Sequence, residues 1–441
     1  MFFECNLSII PPAYLPEELR KKYVRIVDAL HRRHERLQKA LELSGMQPEL
    51  FQKYAADLFQ KDKDGFDRYS PEDIARYAMF FRSTGEVLPE RPDWNAVVLF
   101  DTAFASVSDW ELIRMIGIGG SDRAILVGKS PWRNARDLRF DKRGEYVDDS
   151  DKSIFDQGHA EESRVVRTFC KKNGAVWVNE TRMFRSKQYP NCTANPDAIV
   201  LWPNGEYSIF EAKTSNHRNY PKWDHNKIPE HYVPQMRHYA GVLNDSRITG
   251  IWIGCIFMRA VTIAGTYVGS EIAPTDFVCR YMERDVVGEQ NALQVSQAWW
   301  DRYVVAGEEI PAESEHDIKT SIAIAGAADP KLPAIELTGS EYQEACSAIL
   351  RKKAELDELT KTCNKLKEEI AVLGEPLIKG LGEHAAGTVK TDNGNYVLSF
   401  KGRETTTVDR ELLGIMAPQI VDAVVKKKMS ARTLTVKQEK T

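Results

Sequence analysis

The sequence predicts an α/β protein with a mixed sheet flanked by helices, and three observations support this. An apolar stretch at 198–202 (AIVLW) is followed by the turn sequence Pro203-Asn204-Gly205 and by a second β-favouring stretch that ends at 213. The run GIWIGCIFM at 250–258 predicts a buried strand. In other regions apolar residues recur at intervals of three and four, which is typical of amphipathic helices.

The composition is that of a globular chain with more than one domain. The 441 residues, of which 42% are hydrophobic and 28% charged, suffice for two or three domains. The net charge of −4 gives no general sign of nucleic-acid binding, so a DNA contact requires a local basic patch. Seven cysteines without a C-x-x-C pair disfavour a zinc or iron–sulfur site. They indicate free thiols in a reducing cytoplasm. The N-terminal stretch lacks a basic signal-peptide region, and no apolar run approaches a membrane span.

Residues 1–105 are predicted to form a helical N-terminal extension. Apolar residues at three- and four-residue intervals predict a helix over 17–43, and a second helix is expected to begin with Ser70 as N-cap and Pro71 in the first turn. The polar face of the first helix is rich in lysine and arginine. This face fits either a DNA-facing or partner-binding extension or an ordinary solvated helix face.

Glycines and basic residues dominate the stretch that follows. Gly117, Gly119 and Gly120 predict a tight bend, from which a helix runs from Ser121 to a glycine stop at 128. A bend that leads into a helix beginning with serine is suited to binding an anion. Arg114 lies just upstream. The other basic residues here, which form a local basic patch or a solvated face, are Arg123, Lys129, Arg133, Arg136, Arg139, Lys142 and Arg143.

The predicted hairpin presents acidic residues at one end. Asp197 precedes its first strand, and Glu211 and Lys213 end its second strand. Residues two apart on a strand point to the same face, so Glu211 and Lys213 lie side by side while Ala212 offers its backbone carbonyl. Two carboxylates and a carbonyl are hard oxygen ligands that suit Mg²⁺ or Mn²⁺. A lysine beside them can orient or deprotonate a water molecule. Taken alone, the Glu-x-Lys pattern also fits a solvated strand face.

The order of these motifs resembles a known group of nucleases. Asp197 followed after a hairpin by Glu211 and Lys213 resembles the PD-(D/E)XK superfamily. Arg114 followed by GGSD at 119–122, a glycine at 128 and SPW at 130–132 resembles the opening motif of the YqaJ-type viral recombinases, relatives of the phage lambda exonuclease. The resemblance covers about residues 106–312. It implies a PD-(D/E)XK restriction-endonuclease-like core in which Arg114 and Ser121 contact a DNA phosphate at the site of the 5′ end.

Two further helices match the same family. The pattern G-x-x-x-E corresponds to Gly158 and Glu162, and the resemblance implies that Glu162 supplies an acid to the metal site. Glu161 is adjacent and stays an alternative. In a later helix, Gln235 matches the first glutamine of the family pattern, which implies that it positions water or DNA near the metal. Arg237 replaces the second glutamine of that pattern.

The C-terminal region is predicted to be a separate module. Residues 313–339 have the composition of a linker, and an apolar heptad pattern over 340–373 predicts a long helix that pairs in a helical hairpin or coiled coil. Asn393-Gly394 predicts a β-hairpin, and residues 434–441 are a candidate final strand. We expect residues 340–441 to serve in oligomerisation or in holding DNA, or to be a packed appendage.

The resemblance implies an enzyme, a metal-dependent deoxyribonuclease. The implied reaction is 5′-to-3′ digestion of linear double-stranded DNA in phage-type recombination, which leaves a 3′ strand for a single-strand annealing protein. Lys213 is implied to act on the attacking water. The implied ligands of two Mg²⁺ or Mn²⁺ ions are Asp197, Glu211, Glu162 and the Ala212 carbonyl. A homotrimer around DNA, and a place in the cytoplasm of a bacterium or a phage-infected host cell, are implied as well.

Two other functions fit the same residues. One is a PD-(D/E)XK endonuclease of phage defence or restriction, which would cut closed circular DNA, whereas an exonuclease needs an end. The other is a non-catalytic DNA-binding or assembly protein that kept the nuclease fold. Metal-dependent cleavage separates this last alternative from both enzymes.

Overall fold

The computed structural model describes residues 1–83, 85–145, 153–223, 226–263, 266–326, 332–391 and 394–399, without the side chains of 153–161, 259–276 and 391–395. The helices are α1 Glu17–Ser44, α2 Pro48–Lys61, α3 Pro71–Phe81, α4 Val107–Met115, α5 Gly120–Leu126, α6 Ala135–Lys142, α7 Ser153–Asn173, α8 Tyr232–Leu243, α9 Val286–Trp299, α10 Glu315–Ala325 and α11 Ser340–Leu381. The strands are β1 Val97–Asp101, β2 Val176–Val178, β3 Arg182–Arg185, β4 Thr193–Ala194, β5 Ala198–Leu201, β6 Tyr207–Asn216, β7 Ile248–Ile263, β8 Thr266–Glu283, β9 Ala386–Thr391 and β10 Gly394–Ser399.

A five-stranded mixed sheet in the order β2-β5-β6-β7-β8 forms the centre of the first unit. The predicted hairpin is β5 and β6, which pair antiparallel with Ala198 opposite Phe210. Strand β7 lies parallel to β6 because helix α8 carries the chain back between them. The predicted mixed sheet is confirmed.

Helices cover both faces of this sheet, as predicted. On one face, Phe169 of α7 packs against Phe210 of β6, with ring centroids 4.6 Å apart. On the other face, Met236 and Ala240 of α8 pack against Ile209. Since side chains alternate along a strand, Phe210 faces α7, and Ile209, Glu211 and Lys213 are on the side of α8.

The N-terminal helices form part of the same compact unit, which spans Met1–Ile324. Ser70 caps α3 through a capping box with Asp73, as its sequence predicts. Strand β1 pairs antiparallel with β3 in a second sheet, β1-β3-β4. On α1, Arg33 Nη2 lies 2.7 Å from Asp67 Oδ2 and is buried. Part of the basic face of α1 is therefore used inside the protein.

The basic stretch around α6 holds a neighbouring segment of the chain in place. Arg139 donates from Nε to the Glu308 carbonyl at 2.8 Å and from Nη2 to the Gly307 carbonyl at 3.0 Å. Arg136 donates from Nε to the Ile310 carbonyl at 3.0 Å. These two arginines donate to backbone carbonyls inside the protein. They therefore belong neither to an open basic patch nor to a solvated face, the two alternatives that the sequence predicted.

The second compact unit spans Ala325–Thr441. Helix α11 runs to Leu381, beyond the predicted end at 373, and β9 pairs with β10 as the predicted hairpin, with Thr391 opposite Gly394. The turn at 392–393 and the candidate strand at 434–441 lie outside the described residues. The predicted linker, 313–339, begins with α10, which Asp317 anchors through a 2.7 Å bond from Asn134. Among the described helices, none has the length and apolar character needed to cross a membrane.

Candidate functional site

The β5–β6 hairpin brings the two predicted acids together. Asp197 directly precedes β5, and the pairing of Ala198 with Phe210 places it beside Glu211. Asp197 Oδ2 accepts a hydrogen bond of 2.8 Å from the Ala212 N–H, which fixes the aspartate against β6. Glu211 is completely buried, and Asp197 is half-buried. Two carboxyl groups thus lie next to each other at the edge of the core.

Lys213 completes this group from the same side of β6. Its ammonium contacts Glu211 Oε1 and lies 5.5 Å from the centre of the Tyr232 ring. Burial by itself would lower the pKa of Lys213, but the charges of Glu211 and Asp197 raise it above its usual value. Lys213 is therefore a charged donor beside the two acids.

Both acids have raised pKa values. Desolvation is the main cause for Asp197, and the charge of Glu211 adds to it, so the pKa lies well above the usual range. Desolvation also raises the pKa of Glu211, against the opposing effect of Lys213. Two acids whose negative charges are both disfavoured form a site that a cation would stabilise.

The oxygens of Glu211 give a direct test of whether a metal ion fits. Oε1 contacts Lys213 and accepts a 2.5 Å bond from Gln235 Nε2. Oε2 is buried, and within the described part of the chain no N–H group donates to it. A buried carboxylate oxygen without a hydrogen-bond partner destabilises the folded protein. Coordination of a cation would satisfy this oxygen. Hard oxygen ligands in this position fit Mg²⁺ or Mn²⁺.

Glu162 on α7 lies near this pair but does not complete a cluster with it. It is half-buried. Its charge also raises the pKa of Asp197, but less than desolvation and the charge of Glu211 do. Among the described side chains, no group of three or more His, Cys, Asp or Glu residues is gathered closely enough to hold a metal ion. The side chain of Glu161, the alternative acid, lies outside the described residues. Glu162 and the Ala212 carbonyl therefore stay predicted ligands.

Helix α8 supports the acids with side chains from one face. Gln235 Nε2 donates both to Glu211 and, at 3.0 Å, to the Tyr239 hydroxyl oxygen. Burial raises the pKa of Tyr239 above its usual value, and the charges of Glu211 and Asp197 add to this effect. Sequence reasoning identified Gln235 but missed Tyr239. The signal was present, because residues four apart share a helix face.

His238, also missed, ties together two motifs that are far apart in sequence. Its Nε2 donates to the carbonyls of Ile118 and Thr193, each at 3.0 Å. Ile118 belongs to the glycine bend, and Thr193 leads into Asp197. Burial lowers the pKa of His238 to about 4, so the ring is neutral near pH 7. This histidine is a positioning residue for both motifs.

The glycine bend lies against α8 at very short range. A β-carbon on Gly120 would lie 2.5 Å from Tyr239 Cε1 and 3.0 Å from Gln235 Cγ. Only glycine fits this close approach. The GGSD motif therefore packs directly on the helix that holds Glu211.

The structure also brings Arg114 and Ser121 together. Arg114 Nη2 donates to Ser121 Oγ, and its guanidinium lies over the Trp110 ring, 5.2 Å from its centre. Trp110 Nε1 in turn donates to Asn195 Oδ1 at 3.2 Å. Asn195 lies two residues before Asp197, so these contacts connect Arg114 with the start of the acidic hairpin.

The substituted position in α8 points elsewhere. Arg237 Nη1 lies 3.6 Å from Asp285 Oδ2, near the start of α9, and the pair is largely exposed. Arg237 thus takes no part in the contacts around Glu211.

Comparison with known proteins agrees with these motifs. The family model described as the YqaJ-like viral recombinase domain matches residues 109–251. The uncharacterized protein YqaJ of Bacillus subtilis (strain 168) is 25% identical over 345 residues, which cover 78% of this chain and 98% of that protein. Residues 109–251 therefore match the YqaJ-like viral recombinase family, and the predicted resemblance is confirmed. The match supports a nuclease, an enzyme that acts on DNA.

Two solved structures are similar to part of the chain. The alkaline exonuclease LHK-Exo from Laribacter hongkongensis has a TM-score of 0.32 at 15% identity, over 46% of this chain and 97% of that chain. A phage-related exonuclease from Haemophilus somnus 129PT has a TM-score of 0.34 at 14% identity, over 45% of this chain and 100% of that chain.

Proposed function

We propose that this protein is a metal-dependent deoxyribonuclease that digests linear double-stranded DNA from the 5′ end. One observation carries the proposal above all. Asp197 and Glu211 are packed side by side with Lys213, and the buried Oε2 atom of Glu211 receives no N–H bond from any residue that the structure describes. An arrangement that costs stability and contains a charged donor is typical of a catalytic site.

The residues that would hold Mg²⁺ or Mn²⁺, two ions by resemblance, are Asp197, Glu211, Glu162 and the Ala212 carbonyl. When bound, such an ion activates a water molecule and neutralises charge that builds on the scissile phosphate. Side chains of the protein orient the water molecule and bind the DNA.

Lys213 has the position needed to orient the attacking water. Its ammonium lies beside Glu211, where a positive donor also offsets the approach of a phosphate to two acids. Gln235 holds Glu211 through Oε1, so Oε2 is the oxygen that can bind a metal ion. Tyr239 accepts from Gln235 and so fixes the orientation of this amide.

Arg114 and Ser121 are proposed to hold the 5′ end of the DNA. Their direct contact presents a guanidinium and a hydroxyl together, and both groups bind phosphate oxygens. A terminal phosphate carries more negative charge than an internal diester, so this pair should prefer it. Digestion from that end leaves a 3′ single strand, which is the substrate an annealing protein would take.

Linear duplex DNA labelled at either the 5′ or the 3′ ends tests the proposal. With Mg²⁺, the 5′ label should be released first as mononucleotides, and closed circular DNA of the same sequence should stay intact. EDTA should stop the reaction. Cleavage of the closed circle would favour the endonuclease, early release of the 3′ label would reverse the polarity, and no cleavage with Mg²⁺ or Mn²⁺ would contradict the nuclease.

A further inference from the structure

Trp132, in the segment between α5 and α6, is an exposed aromatic residue on a well-ordered turn. Its side chain is 69% exposed. Ser130 Oγ accepts hydrogen bonds from the backbone N–H groups of Trp132 and Arg133, each at 3.3 Å. Pro131 fixes its own φ angle. The SPW sequence at 130–132 therefore holds the backbone that carries the ring. A single exposed apolar residue is ordinary, so the surroundings of Trp132 decide its use.

A row of aromatic rings leads from Trp132 to the lysine of the site. The ring centroids of Trp132 and His231 are 5.4 Å apart, with the planes at 87°. His231 lies 4.0 Å from the Tyr232 ring, whose centre is 5.5 Å from the Lys213 ammonium. An edge-to-face contact with one neighbour leaves a face of so exposed an indole open to solvent. Trp132 thus presents an aromatic surface at the border of the site.

Trp132 and the proposed 5′-phosphate pair lie at opposite ends of α5. Ser121 is in the first turn of this helix, and Trp132 follows its last turn. A helix of seven residues is about 10 Å long. The segment after α5 is tied to the beginning of α8, because Lys129 Nζ lies 2.5 Å from Glu230 Oε2.

The acids lie between these two ends. Gln235 of α8 donates to Glu211, and a β-carbon on Gly120, at the start of α5, would lie 3.0 Å from the Cγ atom of Gln235. Lys213 lies further along, on the side of Trp132, next to the ring at 232. A DNA strand whose 5′ phosphate is held at the start of α5 therefore passes Glu211 before it reaches Trp132.

Positive charge surrounds the exposed ring. Burial lowers the pKa of His231, and the charges of Lys222 and Lys213 lower it further, so both ammonium groups lie near this histidine. Lys222 is exposed. Arg133 follows Trp132 in the chain, and its pairing with Asp141, at 3.6 Å, is partly exposed. Cations beside an open aromatic face are the combination that binds single-stranded nucleic acid.

We propose that Trp132 stacks on an unpaired base of the digested strand, just on the 3′ side of the bond that is cut. The proposal rests on the proposed function for its substrate, DNA, and for the 5′ polarity. The base must be unpaired, because a base inside a duplex is already stacked on both faces. Stacking on an aromatic ring is tolerant of base identity, so Trp132 is a positioning residue that holds the strand without selecting a sequence.

A double-mutant cycle between the ring and the base tests the proposal. The DNA is a 5′-phosphorylated duplex with four unpaired nucleotides at that end, and three further versions lack the base of the second, third or fourth nucleotide. Dissociation constants are measured with the full-length protein in EDTA, so that no DNA is cut. The variants are Trp132→Ala, Trp132→Phe and Trp132→Leu. Phe80→Ala is the control for loss of an exposed aromatic ring, since Phe80 lies on α3.

Trp132→Ala should weaken binding of the intact DNA about ten- to a hundredfold, the loss expected for one stacked base. Removing the base at one of the three positions should weaken the wild type by a similar factor and should not weaken Trp132→Ala further. Trp132→Phe should keep most of the affinity and the response to that base. Trp132→Leu, which is apolar but has no aromatic face, should resemble Trp132→Ala, and Phe80→Ala should bind like the wild type.

Two outcomes would overturn the proposal. The first is unchanged binding by Trp132→Ala. The second is a loss of affinity that multiplies with loss of the base at all three positions, since Trp132 would then act through folding or through a protein partner. Cleavage assays with Mg²⁺ keep the proposal separate from the proposed function. Cleavage without coupling overturns the stacking role alone, and coupling without cleavage overturns the nuclease alone.

Discussion

The Gln235 side-chain amide donates to Glu211 Oε1 at 2.5 Å, and this bond joins helix α8 to the acid at the centre of the site. The same amide donates to the Tyr239 hydroxyl at 3.0 Å, so the orientation of Gln235 is fixed from two sides. Glu211 is thereby held with Oε2 receiving no N–H bond from the described residues. The geometry of α8 therefore determines which oxygen of the acid is available to a ligand.

Gln235→Ala should weaken catalysis by loosening Glu211. Removing a group that orients a ligand typically costs about 10–100-fold in metal affinity or activity. The expected result is a lower kcat together with a higher Mg²⁺ concentration for half-maximal rate. Arg237→Ala is the matched control, because it lies two residues further along the helix and contacts Asp285 instead. If Gln235→Ala and Arg237→Ala had equal, small effects, Gln235 would have no part in holding Glu211.

Gly120→Ala should disturb the packing of the glycine bend on α8. The new methyl group would lie 2.5 Å from Tyr239 Cε1, so the helices must shift. Overpacking of this kind costs about 1–3 kcal/mol in the free energy of unfolding. Gly119→Ala is the control, since its nearest neighbour, Asp122 Oδ2, would be 3.5 Å away. Urea unfolding of both variants would measure the difference, and equal midpoints would contradict the close contact.

The sequence was informative where periodicity and motif order agree. The alternation around Glu211 and Lys213 predicted their common face, and Ser70 predicted the start of α3. The family resemblance assigned Arg114 and Ser121 to one DNA phosphate, and the contact between them is a finding of the structure. These are local features, or features whose order along the chain is itself a signal.

Contacts between distant segments could not be predicted in this way. His238 donates to two backbone carbonyls. Because every residue has a carbonyl, the sequence does not indicate which carbonyls accept this bond. The use of Arg136 and Arg139 to hold the chain at 307–310 was likewise hidden, because a cluster of arginines has the same composition whether it binds DNA or carbonyls. Tertiary packing decided both cases.

Arg114→Ala should reduce the preference for a 5′ phosphate. Wild-type protein should digest linear duplexes with a 5′ phosphate faster than those with a 5′ hydroxyl, by roughly ten- to a hundredfold for one charge-assisted contact. The variant should show a smaller ratio, because the guanidinium beside Ser121 is lost. Equal wild-type rates on the two substrates would remove the 5′-anchor role from Arg114 and Ser121 and leave the assignment of the acids intact.

Buried histidines should make the protein less stable in mild acid. Burial lowers the pKa of both His34 and His238 to about 4, against about 6.5 in an unfolded chain. The unfolded state therefore takes up protons first as the pH falls. Each histidine should lower the free energy of unfolding by up to about 1.4 kcal/mol per pH unit between roughly pH 6.5 and 4, with no loss above that window.

Urea unfolding midpoints measured at about pH 7.5, 6.5 and 5.5 would test this effect. His34→Gln keeps an acceptor for the Asp101 N–H and should show a shallower pH dependence than the wild type. A pH dependence of the midpoint that is as steep in His34→Gln as in the wild type would show that the His34 ring is not buried as a neutral group.

The paired acids at the end of the hairpin are proposed to perform the chemistry. Asp197→Asn is the most direct variant, because it keeps the shape and an acceptor for the Ala212 N–H while removing the charge. Glu206→Gln, on the exposed turn of the same hairpin, is its control. The measurement is cleavage of linear duplex DNA with Mg²⁺, with DNA binding followed in parallel. We predict that Asp197→Asn abolishes cleavage and still binds DNA, whereas Glu206→Gln cleaves like the wild type. Mg²⁺-dependent cleavage by Asp197→Asn at the wild-type rate would contradict the account.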